Sequence, residues 1–117
     1  MSDTESAPTP AHDPEGVDPQ TLTLFQQNIL LVLAESDGVD YGLGVKRSLE
    51  DLYGEDINNG RLYPNLDQLV DMRLVEKSEL DKRTNEYALT EIGREVIRED
   101  AQRRASIAEE IDGGDRT

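Results

Sequence analysis

Apolar residues recur at helical spacing in the first half of the chain and predict two helices. The first covers residues 21–36 and ends at Gly38, with Gln26 and Gln27 on its outer, solvated face. The second covers residues 41–53. Its inward-facing side chains are predicted to be Leu43, Leu49 and Leu52. Two helices joined by a short turn are the beginning of a helix-turn-helix arrangement.

A third helical stretch begins at Asn58 and runs to Met72. Its apolar residues share one arc if each residue advances by about 100°; they are Leu62, Leu66, Leu69 and Val70. The opposite face carries Arg61, Pro64, Asn65 and Gln68. Asn58 or Asn59 can cap the helix through its side chain, and Pro64 is tolerated near the first turn, where no intrahelical N–H bond is needed. A free polar face of this kind is typical of a helix that enters the major groove of DNA.

After residue 72 the period becomes alternating, which predicts two short strands in residues 75–80 and 86–89. Residues 80–84 form a charged turn between them. Thr90 is a candidate N-cap for a final helix that extends to about Ile111. The predicted fold is therefore mainly α with a small β-hairpin: a winged helix-turn-helix followed by a C-terminal dimerisation helix.

These elements divide the chain into four segments. Residues 1–20 hold four of the five prolines and five acidic residues, and predict a disordered acidic tail. Residues 21–90 are the predicted winged helix-turn-helix DNA-binding domain, and residues 91–112 the dimerisation helix. Residues 113–117 are predicted to be a flexible C-terminus.

The final helix has an apolar face that is broader than the hairpin domain needs. This face comprises Ile92, Val96, Ile97, Ala101, Ile107, Ala108 and Ile111. Small residues in it allow close approach of a second helix, which favours a homodimer. The alternative is a helix that packs only on its own domain.

The formal charge of −14 is unusual for a protein that binds DNA. Without residues 1–20, 21 acidic and 12 basic residues still give −9. Arginine outnumbers lysine by nine to three. Such a surface is favoured in a high-salt cytoplasm, where screening makes self-repulsion tolerable; simple acidity in a mesophilic protein is the other interpretation.

The residue inventory excludes several classes of function. There is no cysteine, and the single histidine, His12, lies in the N-terminal tail, so no enzyme site, metal site or cofactor is predicted. Bound K⁺ or other salt ions are the exception that the acidic surface allows. The longest apolar run, residues 29–34, is too short for a membrane span, and the chain start lacks a secretory signal. We expect a cytoplasmic protein with no membrane partner.

Two separated motifs together resemble the PadR family of transcription regulators. The first is Leu62-Tyr63-Pro64, preceded by Tyr41-Gly42, and the second is Tyr87-Ala88-Leu89-Thr90 with Gly93. The composition indicates a haloarchaeal member. The resemblance implies a winged-helix dimer that binds double-stranded DNA at promoter sites, with a link to the oxidative-stress response.

The resemblance also implies which residues approach DNA. On the third helix they are Asn58, Asn59, Arg61 and Asn65, with Tyr63 both near DNA and packed locally. At the wing tip they are Lys82, Arg83 and Thr84. The chain departs from the family at Arg73, where glycine is common, and in a short wing without glycine.

Each of these residues has a second interpretation. Arg61 can read a guanine edge or contact phosphate, while Asn65 and Gln68 can read adenine or face solvent. Lys46 and Arg47 can contact the DNA backbone or balance nearby carboxylates. For the whole protein, the acidic surface leaves open a winged-helix protein–protein adaptor without sequence-specific DNA binding.

Overall fold

The computed structural model describes residues 21–114. Its elements in chain order are α1 (Leu24–Glu35), β1 (Val39–Tyr41), α2 (Gly42–Tyr53), α3 (Asn59–Asp71), β2 (Val75–Glu79), β3 (Asn85–Leu89) and α4 (Glu91–Gly114). The four helices and the β2–β3 hairpin follow the predicted order. The predictions for residues 1–20, including His12, and for residues 115–117 lie outside the described part of the chain.

A third strand, which the sequence pattern did not reveal, completes the sheet. The strand order is β1-β3-β2 and both pairings are antiparallel. Val75 pairs with Leu89 in the hairpin, and Val39 pairs with Ala88 on the other side of β3. With three residues, β1 is too short to show an alternating pattern. It fixes the start of α2 against the base of the hairpin.

The core lies where α1, α2 and α3 meet the inner face of the sheet. Its most deeply buried side chains are Ile29, Leu30, Leu33, Val45, Leu49, Leu62, Leu66, Leu69, Leu74, Val75 and Tyr87. The predicted inner face of α2 was wrong at two positions, because Leu43 and Leu52 are 52% and 57% exposed. Helix α2 instead buries Gly42, Val45 and Leu49, which share one face at spacings of three and four residues.

The first helix begins later than predicted, at Leu24 rather than at residue 21. Thr23 and Gln26 form a capping box: each side chain accepts a hydrogen bond from the other residue's backbone N–H. This reciprocal bonding satisfies two donors of the first turn and fixes the helix start at that point.

The corner after α3 has the geometry of a Schellman motif. The N–H of Arg73 donates to the carbonyl of Val70, and the N–H of Leu74 donates to the carbonyl of Leu69. Arg73 has a φ of 65°, in the left-handed region that favours glycine. The departure from the family pattern at this position is therefore a non-glycine residue in a strained conformation.

The start of α4 explains the Thr-x-x-Gly part of the second motif. The hydroxyl of Thr90 donates to the carbonyl of Arg73 and accepts from the N–H of Gly93, which confirms Thr90 as the N-cap. A Cβ at Gly93 would collide with the backbone carbonyl of Leu74. The helix continues to Gly114, so residues 113 and 114, predicted to be flexible, are helical.

Candidate nucleic-acid interface

The amino-terminal half of α3 presents the exposed polar face that the sequence predicted. Asn58 is the N-cap, and its Oδ1 accepts from the N–H of Gly60 at 2.6 Å. Asn59, Arg61 and Gln68 are exposed, whereas Leu62, Leu66 and Leu69 are buried on the opposite side. The cap uses the side-chain oxygen of Asn58, so its amide group is the part left for another partner.

Arg61 leans back over the core instead of extending freely into solvent. Its Cζ lies 3.9 Å from the ring centroid of Phe25 and 5.8 Å from that of Tyr53. These distances are within the range of a cation–π interaction. The guanidinium plane is therefore held in one orientation, and truncation of Arg61 would also uncover Phe25.

Asn65 and Gln68 are hydrogen-bonded to α1 rather than free. The Nε2 of Gln26 donates to Asn65 Oδ1 at 3.1 Å and to Gln68 Oε1 at 2.7 Å. The prediction that Gln26 faces solvent was wrong, since only 6% of it is exposed. Gln27 was also predicted to face solvent, yet it is half-buried and its side-chain amide donates to the carbonyl of Leu22. Helical spacing could not distinguish these glutamines from solvated ones.

Tyr63 joins the two halves of the first motif in space. It is half-buried, and a Cβ at Gly42 would lie 2.9 Å from its hydroxyl oxygen. The absence of a side chain at Gly42 lets the tyrosine ring lie against the start of α2. This contact explains why Tyr41-Gly42 and Leu62-Tyr63-Pro64 occur together, and it gives Tyr63 the packing role implied by the resemblance.

The wing tip is a compact turn with an internal hydrogen-bond network. The N–H of Leu80 donates to the carbonyl of Thr84 at 2.9 Å, and Asp81 Oδ1 accepts from the N–H of Arg83 at 2.8 Å. This bond from Arg83, with further bonding from Thr84, lowers the pKa of Asp81 below its ordinary value. Lys82 and Arg83 are exposed at the end of this turn.

One groove of about 630 Å³ brings together three of the elements predicted to meet DNA. It is lined by Arg47 from α2, Tyr63 from α3, and Arg83 with Thr84 from the wing. Asp40 and Tyr41 of β1 and the first residues of α2 complete the lining, and Asp40 Oδ1 accepts from the N–H of Tyr41 at 2.7 Å. Lys46 and Lys82 were predicted beside these residues but do not line the groove.

A basic residue that the sequence analysis did not single out lies at the far end of α3. The Nζ of Lys77 on β2 is 3.9 Å from Oδ1 of Asp67 on α3. Both side chains are well exposed, so the pair contributes little to stability. Its effect is local, because it places one positive charge beside a carboxylate of α3.

The predicted dimerisation face divides into two parts along α4. Val96 belongs to the domain's own core, and Ile92 and Ile97 pack against that core. Residues 101–112 are exposed throughout, with Ile107 at 41% and Ile111 at 61%. The exposed members of the predicted interface are thus Ala101, Ile107, Ala108 and Ile111.

Between residues 21 and 114, no group of three or more His, Cys, Asp or Glu side chains is placed to hold a metal ion. Among the helices described, none combines the length and apolar composition needed to cross a bilayer.

Comparison with solved structures shows the same architecture in other proteins. RosR of Halobacterium salinarum aligns with a TM-score of 0.70 and 51% identity over 84% of this chain and 96% of that one. RosR in a complex designated RosR-S1 aligns equally well, with 50% identity over 85% of this chain and 96% of that chain. F93 from STIV, a winged-helix DNA-binding protein, shares the fold at a TM-score of 0.64 and 23% identity, over 74% of this chain and 92% of F93. The predicted winged-helix fold is confirmed.

Sequence comparison gives the family. The transcriptional activator GvpE2 of Halobacterium salinarum (strain ATCC 700922 / JCM 11081 / NRC-1) is 37% identical over 68 residues, which are 58% of this chain and 35% of GvpE2. The chain thus matches only about a third of that relative's length. The model of the transcriptional regulator PadR-like family matches residues 29–99. Its members are transcription regulators and not enzymes. This chain belongs to the PadR-like family of transcriptional regulators.

Proposed function

We propose that this protein is a sequence-specific DNA-binding regulator that acts as a homodimer at promoter sites in a high-salt cytoplasm. The observation that carries the proposal is the groove in which Arg47, Tyr63 and Arg83 converge from α2, α3 and the wing. Two exposed cations, one from α2 and one from the wing, line the same groove as a residue of α3, and phosphate contacts from such side chains position a recognition helix on DNA.

Helix α3 is the element that enters the major groove in this proposal. Its residues Asn59, Arg61 and Gln68 are exposed, and Arg61 and Gln68 also contact Phe25 and Gln26 of α1. Arg47 and Arg83 contact phosphates and set the register of α3, while side chains of α3 read the bases.

The homodimer is proposed from the exposed half of α4. Beyond Ile97, residues 101–112 are exposed, including two isoleucines and an alanine stripe, although Arg104 donates a hydrogen bond to Gln27 Oε1 on α1 at 3.1 Å. A second copy of the helix would bury this face and hold two recognition helices at a fixed separation, as two-fold symmetric operators require.

The link to oxidative stress remains a prediction from the resemblance. Because the sequence contains no cysteine, an oxidant response would not be carried by a protein thiol. The oxidisable sulfur atoms are those of Met1 and Met72, and Met72 packs against the core at the end of α3.

Retention of genomic DNA fragments tests the proposal. The protein is immobilised and mixed with sheared genomic DNA of a haloarchaeon in molar KCl, and the retained fragments are sequenced. We expect selective retention of promoter fragments by the wild type. Arg83→Ala should weaken retention of all fragments alike, because a phosphate contact carries no sequence information. Lys82→Ala, at the same turn but outside the groove, is the matched control and should have the smaller effect.

The competing function is a protein–protein adaptor. It is favoured by the acidic surface and by a second groove of about 390 Å³ between α1 and α2, where Leu31 and Leu52 are exposed. Retention with no preference for any genomic fragment by the wild type would support the adaptor and overturn the DNA-binding proposal.

A further inference from the structure

A buried glutamine on α1 holds two amide side chains of the recognition helix. Gln26 is 6% exposed and bonds Asn65 and Gln68 through its Nε2 atom. A buried amide is costly unless its polar atoms are bonded, so this arrangement resists rotation of any one side chain.

Backbone groups at both ends of this series of hydrogen bonds fix which atom donates and which accepts in each bond. At one end, the N–H of Thr23 can only donate, so the atom of Gln26 that faces it at 3.1 Å is the oxygen. Its Nε2 therefore donates to Asn65 and Gln68. At the other end, the carbonyl of Arg61 can only accept, so the Asn65 atom 2.7 Å from it is Nδ2. The backbone partners at the two ends are therefore consistent with one assignment of oxygen and nitrogen in the side-chain amides of Gln26 and Asn65.

These bonds leave different amide atoms exposed on the two residues of α3, Asn65 and Gln68. Asn65 directs its oxygen at Gln26 and its nitrogen at the carbonyl of Arg61, so its amide group is oriented by protein partners rather than by a base. Gln68 accepts from Gln26 through Oε1 at 2.7 Å, and it is exposed. Its Nε2 remains as the outward polar group, which is a hydrogen-bond donor.

We propose that Gln26 is a positioning residue that sets the base preference of the recognition helix. By engaging the oxygen of Gln68, it presents that side chain to DNA as a donor. A donor matches the acceptor edges of guanine (N7 and O6) and thymine (O4) in the major groove. The bidentate reading of adenine needs the amide oxygen directed at the base as well, whereas here that oxygen is directed at Gln26. The inference rests on the proposed DNA-binding function and assigns the partner of one side chain within it.

Gln26→Glu provides a test because it reverses the bonding without removing the cap. A glutamate at this position still accepts from the N–H of Thr23, as in the usual capping box. Its second oxygen cannot donate, so it accepts from Gln68 Nε2 and turns the oxygen of Gln68 outward. Asn65, whose Nδ2 is held by the carbonyl of Arg61, loses its bond to residue 26. The outward acceptor then matches the donor edges of adenine (N6) and cytosine (N4).

The measurement is selection from a randomised DNA library, followed by fluorescence anisotropy on the four base variants at each selected position. The position read by Gln68 is the one where Gln68→Ala removes the base preference. There we expect the wild type to favour guanine or thymine and Gln26→Glu to shift the preference towards adenine or cytosine by about tenfold. Gln27→Glu makes the same charge change on the next residue of α1 and should keep the wild-type preference.

Each outcome decides the inference. An unchanged preference in Gln26→Glu overturns it, and so does an equal loss of affinity for all four bases, which is what a merely structural residue would give. Wild-type protein that selects no sequence from the library rejects the proposed function instead. In that case the side-chain amide of Gln26 is followed by NMR: slowed hydrogen exchange that is lost in Gln68→Ala supports the bonding, and rapid exchange in the wild type overturns it.

Discussion

Arg73 holds a backbone conformation that its side chain disfavours. A non-glycine residue in the left-handed region costs roughly 1–2 kcal/mol, and here the Schellman bonding of residues 73 and 74 enforces it. Arg73→Gly should therefore raise the free energy of unfolding by about 1 kcal/mol, after allowance for the greater freedom of glycine in the unfolded chain.

Thermal and urea unfolding measure the effect, and Arg73→Ala serves as the control. Alanine removes the same charge but keeps the Cβ and with it the strain. A gain in stability that is equal for glycine and alanine would show that the charge, and not φ, is responsible.

Tyr87 is 1% exposed at the centre of β3, and burial raises the pKa of its hydroxyl above 10, with a smaller contribution from the negative charge of Asp67. Above the unfolded-state pKa the unfolded chain binds fewer protons than the folded one. The free energy of unfolding should thus fall as the pH rises from about 10 towards the folded-state pKa.

The stability of Tyr87→Phe should fall less steeply above pH 10 than that of the wild type, because the substitution removes the group that ionises. Unfolding midpoints between pH 8 and pH 11 measure both slopes. Tyr41→Phe, which removes an exposed phenol from the edge strand β1, controls for the loss of one tyrosine. Identical slopes for wild type and Tyr87→Phe would contradict the prediction.

The C-terminal helix carries a prediction of its own, because the isoleucines of its outer half are exposed within the domain. Ile107→Asp would place an unpaired charge in the apolar stripe that a second copy is proposed to cover, and burial of such a charge is strongly unfavourable. Size-exclusion chromatography with light scattering should show a monomer.

Gln102→Asp adds the same charge to the exposed segment outside the stripe and should stay dimeric. Because Ile107 is exposed within the domain, the substitution should leave the domain folded, which circular dichroism checks. A dimer that persists in Ile107→Asp would place the interface elsewhere.

For the molecule as a whole, the net charge determines how DNA affinity should depend on salt concentration. A basic repressor releases about 0.9 counterions per phosphate it neutralises and loses affinity steeply as salt rises. Here a chain of formal charge −14 approaches a polyanion. Repulsion is long-ranged at low salt, whereas at 1 M the Debye length is roughly 3 Å and local contacts dominate.

Specific binding should therefore stay level or strengthen as KCl rises towards the molar range. Cation uptake between DNA phosphates and carboxylates of α3 such as Asp67 and Asp71 would add to this trend. Fluorescence anisotropy with one labelled operator across a KCl series measures it. A steep, continuous loss of affinity would rule out both the cation uptake and the halophilic interpretation of the surface.

The sequence by itself determined the order of the helices, the hairpin and several caps. These features depend on neighbours along the chain: the arc of Leu62, Leu66 and Leu69, the Asn58 cap and the Thr90 cap all arise within a few residues. The family could also be predicted, because the two motifs are short local patterns. The structure shows why they belong together, through the Tyr63–Gly42 contact and the close approach of Gly93 to Leu74.

Only the tertiary structure decided how the polar residues are used. Gln26 lies 39 residues from Asn65 and 42 from Gln68 along the chain, and Arg61 finds Phe25 on another helix. Periodicity gives the face on which a residue lies but not what packs against that face. For the same reason the sequence wrongly predicted that Leu43 and Leu52 are buried, because the hydrophobicity of leucine does not fix the rotation of α2 about its axis. The third strand, the groove between α2, α3 and the wing, and the bonding of Gln68 all depend on contacts between distant segments, which a single sequence does not specify.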